Sequence, residues 1–398
     1  MISLASSARI RSDHEQNWVG FLKANSKNLS LDKIHGSSPP SVFVGHYGYP
    51  KVRMGPMIPP FHGDTAILDR SELWVGKSLE EIKNYRLSLV LGTMGINAYD
   101  FSGRYLEDMR ELVMSKRSVE SEAIFEKKPV PDIQLKKEFQ LNTTATPFGP
   151  AAPLKYFRAS SLSADHRIES AFYDTDLKAA DALMKMYING IETSIIQRVF
   201  SMGMLGLKKK RKLIPTRWSI SATDDIISRM LVKCNERNPT INLFEVTRYS
   251  HFANYYSIVL LPDDNWNFEI MEYWFTNSGQ TATATDYEQM DGFNHKPRTA
   301  GAFFAARLAI AEHLMRRHRK AAALIIREIH PEYMIPLGVW QVREGVREAL
   351  KKPAQKFESL DRALSFACSY MSISKNEVAQ QSRLWKLFKV QTKITDFH

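Results

Sequence analysis

The sequence predicts a mixed α/β protein of the α+β class: an N-terminal α/β body with a β-hairpin-containing sheet, then a largely helical C-terminal part and a short flexible tail. Three observations carry that prediction. Between residues 240 and 275, β-branched and aromatic residues dominate, and Pro262-Asp263-Asp264-Asn265 interrupts them with turn chemistry. On either side, apolar residues recur at helical spacing, as in Leu106, Met109, Leu112 and Val113, or Val339, Val342, Val346 and Leu350. Finally, 398 residues at 44% hydrophobic content suffice for more than one core, with no run near the roughly 20 apolar residues of a spanning helix.

The elements follow in order. Residues 36 to 63 are rich in proline and glycine yet carry Val42, Phe43, Val44, Tyr47, Tyr49 and Met54. They predict an ordered loop packed on a core, with one short strand over Ser41 to Gly45. Helices are expected over Ser78 to Leu91 and Arg104 to Lys116, then a proline-rich connection from Phe125 to Lys155. A longer helix runs from Thr175 toward Phe200 along the stripe Leu177, Ala180, Met184, Tyr187, Ile191 and Ile195. A shorter one over Asp224 to Cys234 has Ser221 or Thr223 as its N-cap. Strands are expected over Thr240 to Tyr249, Tyr255 to Leu261 and Trp266 to Phe275, the last two as a hairpin. Gly279 to Thr299 is polar and predicts a loop, and Ala300 to Arg327 a helix. The domain expectation is an extension over 1–35, an α/β domain over 36–278, a mostly helical domain over 279–388 and a tail over 389–398.

Charge gives the first functional indication, because 54 basic against 43 acidic side chains leave +11. Basic chains tend to meet polyanions. Lys208, Lys209, Lys210, Arg211 and Lys212 are consecutive, and five adjacent cations must be solvated or meet an anion. Arg217 follows as a further cation, Trp218 as a ring able to stack on a base, and Ser219 as a donor to phosphate. In the proline-glycine segment, Lys51 and Arg53 bring charge to a backbone that Gly45, Gly48 and Gly55 allow to approach an anion closely. No GK[ST] follows those glycines, so this is not a P-loop.

Glu272 is the catalytic candidate: strand alternation puts it on one face with Trp266, Phe268, Ile270 and Trp274. A carboxylate among aromatics needs a cation, with Arg248 or Arg298 as candidates, or an upward pKa shift suited to acid–base work. Hydrolase and ATPase motifs (G-x-S-x-G, HExxH, Walker A) are absent, and Pro262-Asp263 lacks the following ExK of a nuclease. Cys234 and Cys368 form no CxxC pair, so no thiolate zinc site or disulfide framework is expected. Asp13-His14-Glu15 is a polar surface stretch, and no metal site is expected there. No cofactor is expected, although a nucleotide is compatible with the cationic segments. The start of the chain has no signal-peptide pattern, and a cytoplasmic location without membrane attachment is expected.

The segments SPPSVFVGHYGYPKVRMGPMIPP at 38–60, KKKRKLIPTRWSISATDD at 208–225 and REIHPEYMIPLGVWQVREGVREAL at 327–350 resemble the Nre family of archaeal DNA repair proteins. The resemblance covers roughly residues 36 to 398. It implies a role in DNA damage, in the archaeal cytoplasm and at the nucleoid, and contact with the sliding clamp PCNA through a C-terminal peptide. Many relatives begin with a four-cysteine zinc segment, whereas here Leu4 to Phe21 contains no cysteine, so zinc does not transfer. The terminal QTKITDFH places Gln391, Ile394 and Phe397 at the clamp-peptide spacing, with His398 where a second large aromatic is usual. One 3₁₀-like turn brings Ile394 and Phe397 to the same side as an apolar plug. A second glutamine-led match, Gln381, Leu384, Leu387 and Phe388, reads better as a helix docked on the body. Three functions stay open: a clamp-recruited repair factor touching DNA, a nucleotide- or DNA-end-processing enzyme, and an adaptor that does not bind DNA.

Overall fold

The computed structural model describes residues 32–100, 102–129, 149–160, 162–289, 297–333 and 337–395, with side chains as far as residue 389. Of these, 32–227 with 337–340 form one unit and 228–333 with 341–395 another. Each unit holds one six-stranded mixed sheet, and the α+β class read from the sequence is borne out.

In the first unit, strands β1 (Lys33–Ser38), β2 (Val42–Val44), β3 (Lys51–Ile58), β4 (Val90–Asn97), β5 (Val119–Phe125) and β6 (Ala151–Ser160) lie in the order β1-β5-β6-β4-β3-β2. Only β4 and β6 run parallel. The proline-glycine segment therefore supplies three strands rather than a loop with one. Its glycines serve the sheet: a Cβ at Gly55 would stand 1.7 Å from the Gly92 carbonyl oxygen, so β3 and β4 approach closely only because the side chain is missing. Strand β6 begins in the stretch expected to be a proline-rich connection and runs past its end.

Helix α1 (Leu79–Leu87) starts at a capping box, with Ser78 and Glu81 satisfying each other's backbone N–H groups. Helix α2 (Arg104–Met114) buries the predicted stripe Leu106, Met109, Leu112 and Val113. After α3 (His166–Tyr173), the single long helix expected from Thr175 is two, α4 (Ala179–Ile188) and α5 (Thr193–Ser201). Gly190, at φ +75°, breaks it. Helix α6 (Thr216–Asn235) begins well before the expected N-cap, because Pro215 accepts from the backbone N–H of Trp218 and Ser219 and starts the helix there.

In the second unit, β7 (Phe244–His251), β8 (Asn254–Leu261), β9 (Asn267–Phe275), β10 (Thr281–Gln289), β11 (Ala322–Ile329) and β12 (Gln355–Phe357) lie in the order β10-β9-β11-β8-β7-β12. The expected hairpin between β8 and β9 does not form, since β11 lies between them, antiparallel to β8 and parallel to β9. The hairpins are β7–β8, turning at Phe252 and Ala253, both left-handed, and β9–β10. Helix α7 (Gly301–Arg317) stops at His318 in the left-handed conformation, and the rest of the expected helix is strand β11. α8 (Trp340–Lys351), α9 (Leu360–Cys368), α10 (Lys375–Gln381) and α11 (Arg383–Thr395) follow.

The second sheet is covered on both faces. Phe303 of α7 meets Phe268 edge-on at 5.0 Å on one side, while Met271, Tyr273, Leu324 and Ile326 share a core with Leu364, Val378, Leu384 and Trp385 of α9–α11 on the other. Strand β9 consequently buries two carboxylates on opposite faces. Glu269 accepts hydrogen bonds from the Ser382 hydroxyl (2.6 Å) and the backbone N–H of Arg383 (2.8 Å) and Leu384 (2.9 Å), thereby capping α11. Burial pushes its pKa up, against these hydrogen bonds.

Candidate nucleic-acid interface

Three segments far apart in sequence meet on the first unit. The backbone stitches them in series: the N–H of Ala98, after β4, donates to the Pro50 carbonyl (2.8 Å), and the N–H of Leu213, ending the basic run, donates to the Ala98 carbonyl (2.9 Å). The start of α6 joins them, where Thr216 Oγ1 accepts from the N–H of Val44 at 2.9 Å. A loop, a strand end, the basic run and a helix start thus share one surface.

The aromatic rings on it form a group. Tyr49 lies 5.1 Å from Trp218 and 6.1 Å from Tyr99, both tilted or edge-on rather than stacked. The Lys212 ammonium sits 5.3 Å from the centre of the Tyr99 ring. Trp218 is 44% exposed, Tyr99 59% and Tyr47 68%, so these rings are open to a ligand rather than spent in a core. Lys51 follows directly on Pro50 and, like Arg53 two residues later on β3, is exposed.

Arg217 donates to His46 Nε2 at 2.9 Å. Burial first, and then the neighbouring guanidinium, pulls the His46 pKa down from 6.5 to about 4. At neutral pH the imidazole is therefore uncharged, with Nε2 as acceptor and its proton on Nδ1. Above pH 6.5 folded and unfolded forms both hold it neutral. Between 6.5 and about 4 the unfolded chain binds more protons, so stability is lost as pH falls through that window. Chemical unfolding at pH 7 and pH 4.5 should show a difference about 1 kcal/mol smaller in His46→Gln, a side chain that still accepts from Arg217, after allowance for solvent screening.

The basic run divides. Lys208, Lys209 and Lys210 form an exposed 3₁₀ turn with no buried side chain. Arg211 instead turns inward, donating to the carbonyls of Gly206 (2.7 Å), Phe172 (2.7 Å) and Asp174 (3.0 Å) and lying over the Phe172 ring. It joins the ends of α3 and the loop before the run, and burial lowers its pKa. Ser219 is fully buried and its hydroxyl donates to the Gln197 carbonyl, which removes it from any phosphate. The structure thus brings Lys212, Arg217 and Trp218 together, keeps Lys51, Arg53 and Lys208–Lys210 exposed, and assigns Arg211 and Ser219 to the fold. Tyr49, Tyr99 and His46 complete the surface. The sequence marked Tyr49 only as one of the residues packing the loop on a core, and nothing local marked Tyr99.

Glu272 belongs to the second unit and has a structural partner. Arg327 stands opposite it in the parallel β9–β11 register, and the two form a buried ion pair. Neither expected partner serves: Arg248 donates to the Phe366 carbonyl and the Ser369 hydroxyl, and the backbone N–H of Arg298 donates to Asp286. Among the described residues, no group of three or more His, Cys, Asp or Glu side chains is placed to hold a metal ion, and no helix is long and apolar enough to cross a membrane. Asp13, His14 and Glu15 lie outside the described residues, as do Phe397, His398 and the side chains of Gln391 and Ile394.

Two mixed-sheet units, one presenting a cationic aromatic surface, define the class of protein. The family models described as archaeal Nre, N-terminal, and archaeal Nre, C-terminal, match residues 17–280 and 288–397. The chain is 34% identical to the DNA repair protein NreB of Archaeoglobus fulgidus, over 90% of each chain, and 35% identical to the DNA repair protein NreA of the same organism, over 86% of each. It is 30% identical to the DNA repair protein NreA of Haloferax volcanii, over 92% of this chain and 89% of that one. The chain belongs to the archaeal Nre family. No solved structure matches it.

Proposed function

We propose that this protein is a DNA repair factor that holds single-stranded DNA on the surface built from Tyr49, Tyr99, Lys212, Arg217 and Trp218, and is recruited by the sliding clamp PCNA through its terminal peptide. The observation that carries the reading is the convergence of exposed rings and cations from three separated segments. Proteins that bind single strands combine a positive track for the backbone with rings on which bases stack, and every base has a face to offer such a ring. The names of the relatives support the repair setting. The terminal spacing Gln391, Ile394, Phe397 supports the clamp, because steps of three residues leave all three on one side of a helical turn. The backbone of α11 reaches Thr395, so Gln391 and Ile394 lie in the last turns of that helix.

Binding of an oligothymidylate by the full-length protein, followed by fluorescence anisotropy across a salt series, tests the surface. Trp218→Ala is expected to weaken binding by about 1–3 kcal/mol. Lys212→Ala is expected to reduce the slope of log affinity against log salt by about 0.7. Unchanged affinity in Trp218→Ala, or a wild-type affinity insensitive to salt, would remove this surface from the function.

A further inference from the structure

The second unit contains a cavity of about 240 Å³ that is separate from the aromatic surface of the first. Its apolar lining includes Ala311 and Leu314 of α7 and Ala321 before β11, all buried, and Trp266 forms one wall. The indole is held in place. Its Nε1 donates to Glu288 Oε1 at 2.9 Å, Glu288 Oε2 pairs with buried Arg307 at 2.7 Å, and the ring stacks on Phe268 with planes 10° apart. A fixed aromatic wall above small alanine side chains makes a slot suited to a flat ring. The volume is below the about 300–1,000 Å³ of drug-sized sites, so it admits one ring system and leaves any attached sugar or chain outside.

The polar side chains decide which ring. Glu236, Asp264, Asn265 and Lys320 line the cavity, and Lys320 already pairs with Asp264 at 3.4 Å. Asp264 also accepts from the Thr240 hydroxyl. Glu236 and the amide of Asn265 have no side-chain partner among the described residues. The local charge is negative by one, which disfavours a phosphate inside and leaves acceptors for N–H donors. We infer that this cavity binds a planar heterocycle bearing an exocyclic amine, a nucleobase of the adenine or cytosine type, with the amine toward Glu236 and Asn265. The ring comes either from a free nucleoside or from a base displaced from a DNA duplex, and the cavity chemistry is common to both. The inference does not depend on the single-strand surface.

Calorimetric titration of the full-length protein with adenosine, cytidine and thymidine tests it, beside duplexes with and without one bulged adenine. Adenosine and cytidine are expected to bind about tenfold more tightly than thymidine, one unmatched hydrogen bond to a charged group being worth that much. Glu236→Gln, an exposed change that the fold tolerates, should cut that preference several-fold, and Val232→Trp, which fills the cavity from α6, should abolish it. If the source is DNA, nucleosides bind weakly, and a preference for the bulged duplex disappears in Val232→Trp while persisting in Trp218→Ala. The inference is overturned if all three nucleosides bind alike and the bulged duplex is not preferred, or if no preference, free or in duplex, responds to both Val232→Trp and Glu236→Gln. The single-strand surface would fail differently, through Trp218→Ala leaving oligothymidylate binding intact.

Discussion

Replacing Arg327 with methionine is expected to lower the unfolding free energy by about 3–5 kcal/mol, measured by urea unfolding of the full-length chain. Arg327 is 4% exposed and Glu272 2%, so removing one charge strands the other where water cannot reach it. The guanidinium also donates to Asn254 Oδ1 through Nε (3.0 Å) and Nη2 (2.6 Å), and to Gln341 Oε1 at 2.9 Å. Tyr256 donates its hydroxyl to that same Gln341 oxygen at 2.9 Å. One cation thus ties β8, β9, β11 and the start of α8, and its loss leaves several buried acceptors unmatched.

The double replacement Glu272→Leu with Arg327→Met should recover part of that loss, since the stranded carboxylate is gone while Asn254 Oδ1 still lacks its donor. If Arg327→Met alone cost less than about 1 kcal/mol, the pair would not be organising the sheet. The same experiment separates structure from chemistry at Glu272. A carboxylate buried in an ion pair inside a sheet offers no oxygen to a substrate, and a Glu272 variant should fail by unfolding rather than by inactivity.

How far this architecture was legible depends on the range of the forces that set it. Amphipathic helices such as α2 and the β7–β8–β9 region declared themselves through local period, and the α+β class followed. Pairing did not. AALIIREI, the sequence of β11, is buried along its whole length, so it shows no alternation and reads equally well as an extension of α7. The left-handed His318 that ends α7 sits in a run of cations with no glycine to mark it. Threonine-rich β10 looked like a polar loop, yet its alternate residues face the core at the sheet edge. At the surface site, charge and Trp218 were visible, but Tyr99 joins through tertiary contacts with residues some fifty and over a hundred positions away. Arg211 was indistinguishable from its lysine neighbours. Its planar five-donor fork, matched to three carbonyl oxygens, explains why it alone turns inward.

Truncation after Val390 is expected to abolish binding of the clamp, and Phe397→Ala to weaken it by about 2 kcal/mol or more, both read by calorimetry with PCNA from the same organism. The structure narrows the choice between the two glutamine-led segments. Leu384 is fully buried and Trp385 5% exposed in the core shared with β9 and β11, and Glu269 caps the helix that carries them. Phe388 packs against that core and meets Phe244 at 6.4 Å. Engaging Gln381 to Phe388 in a clamp pocket would mean pulling α11 off the sheet, a cost that the docked Leu384 and Trp385 set against that segment. Leu384→Ala should therefore cost about 2–5 kcal/mol of folding stability while leaving clamp affinity of the folded protein unchanged. Clamp binding that survives both truncation after Val390 and Phe397→Ala would show that recruitment does not pass through the terminal peptide. With His398 at the eighth position, the proposed plug would comprise a single aromatic ring and one aliphatic side chain, so affinity should depend almost wholly on Phe397 and Ile394. Ile394→Ala is accordingly expected to rival Phe397→Ala, a sensitivity that a peptide with two large aromatics would not show.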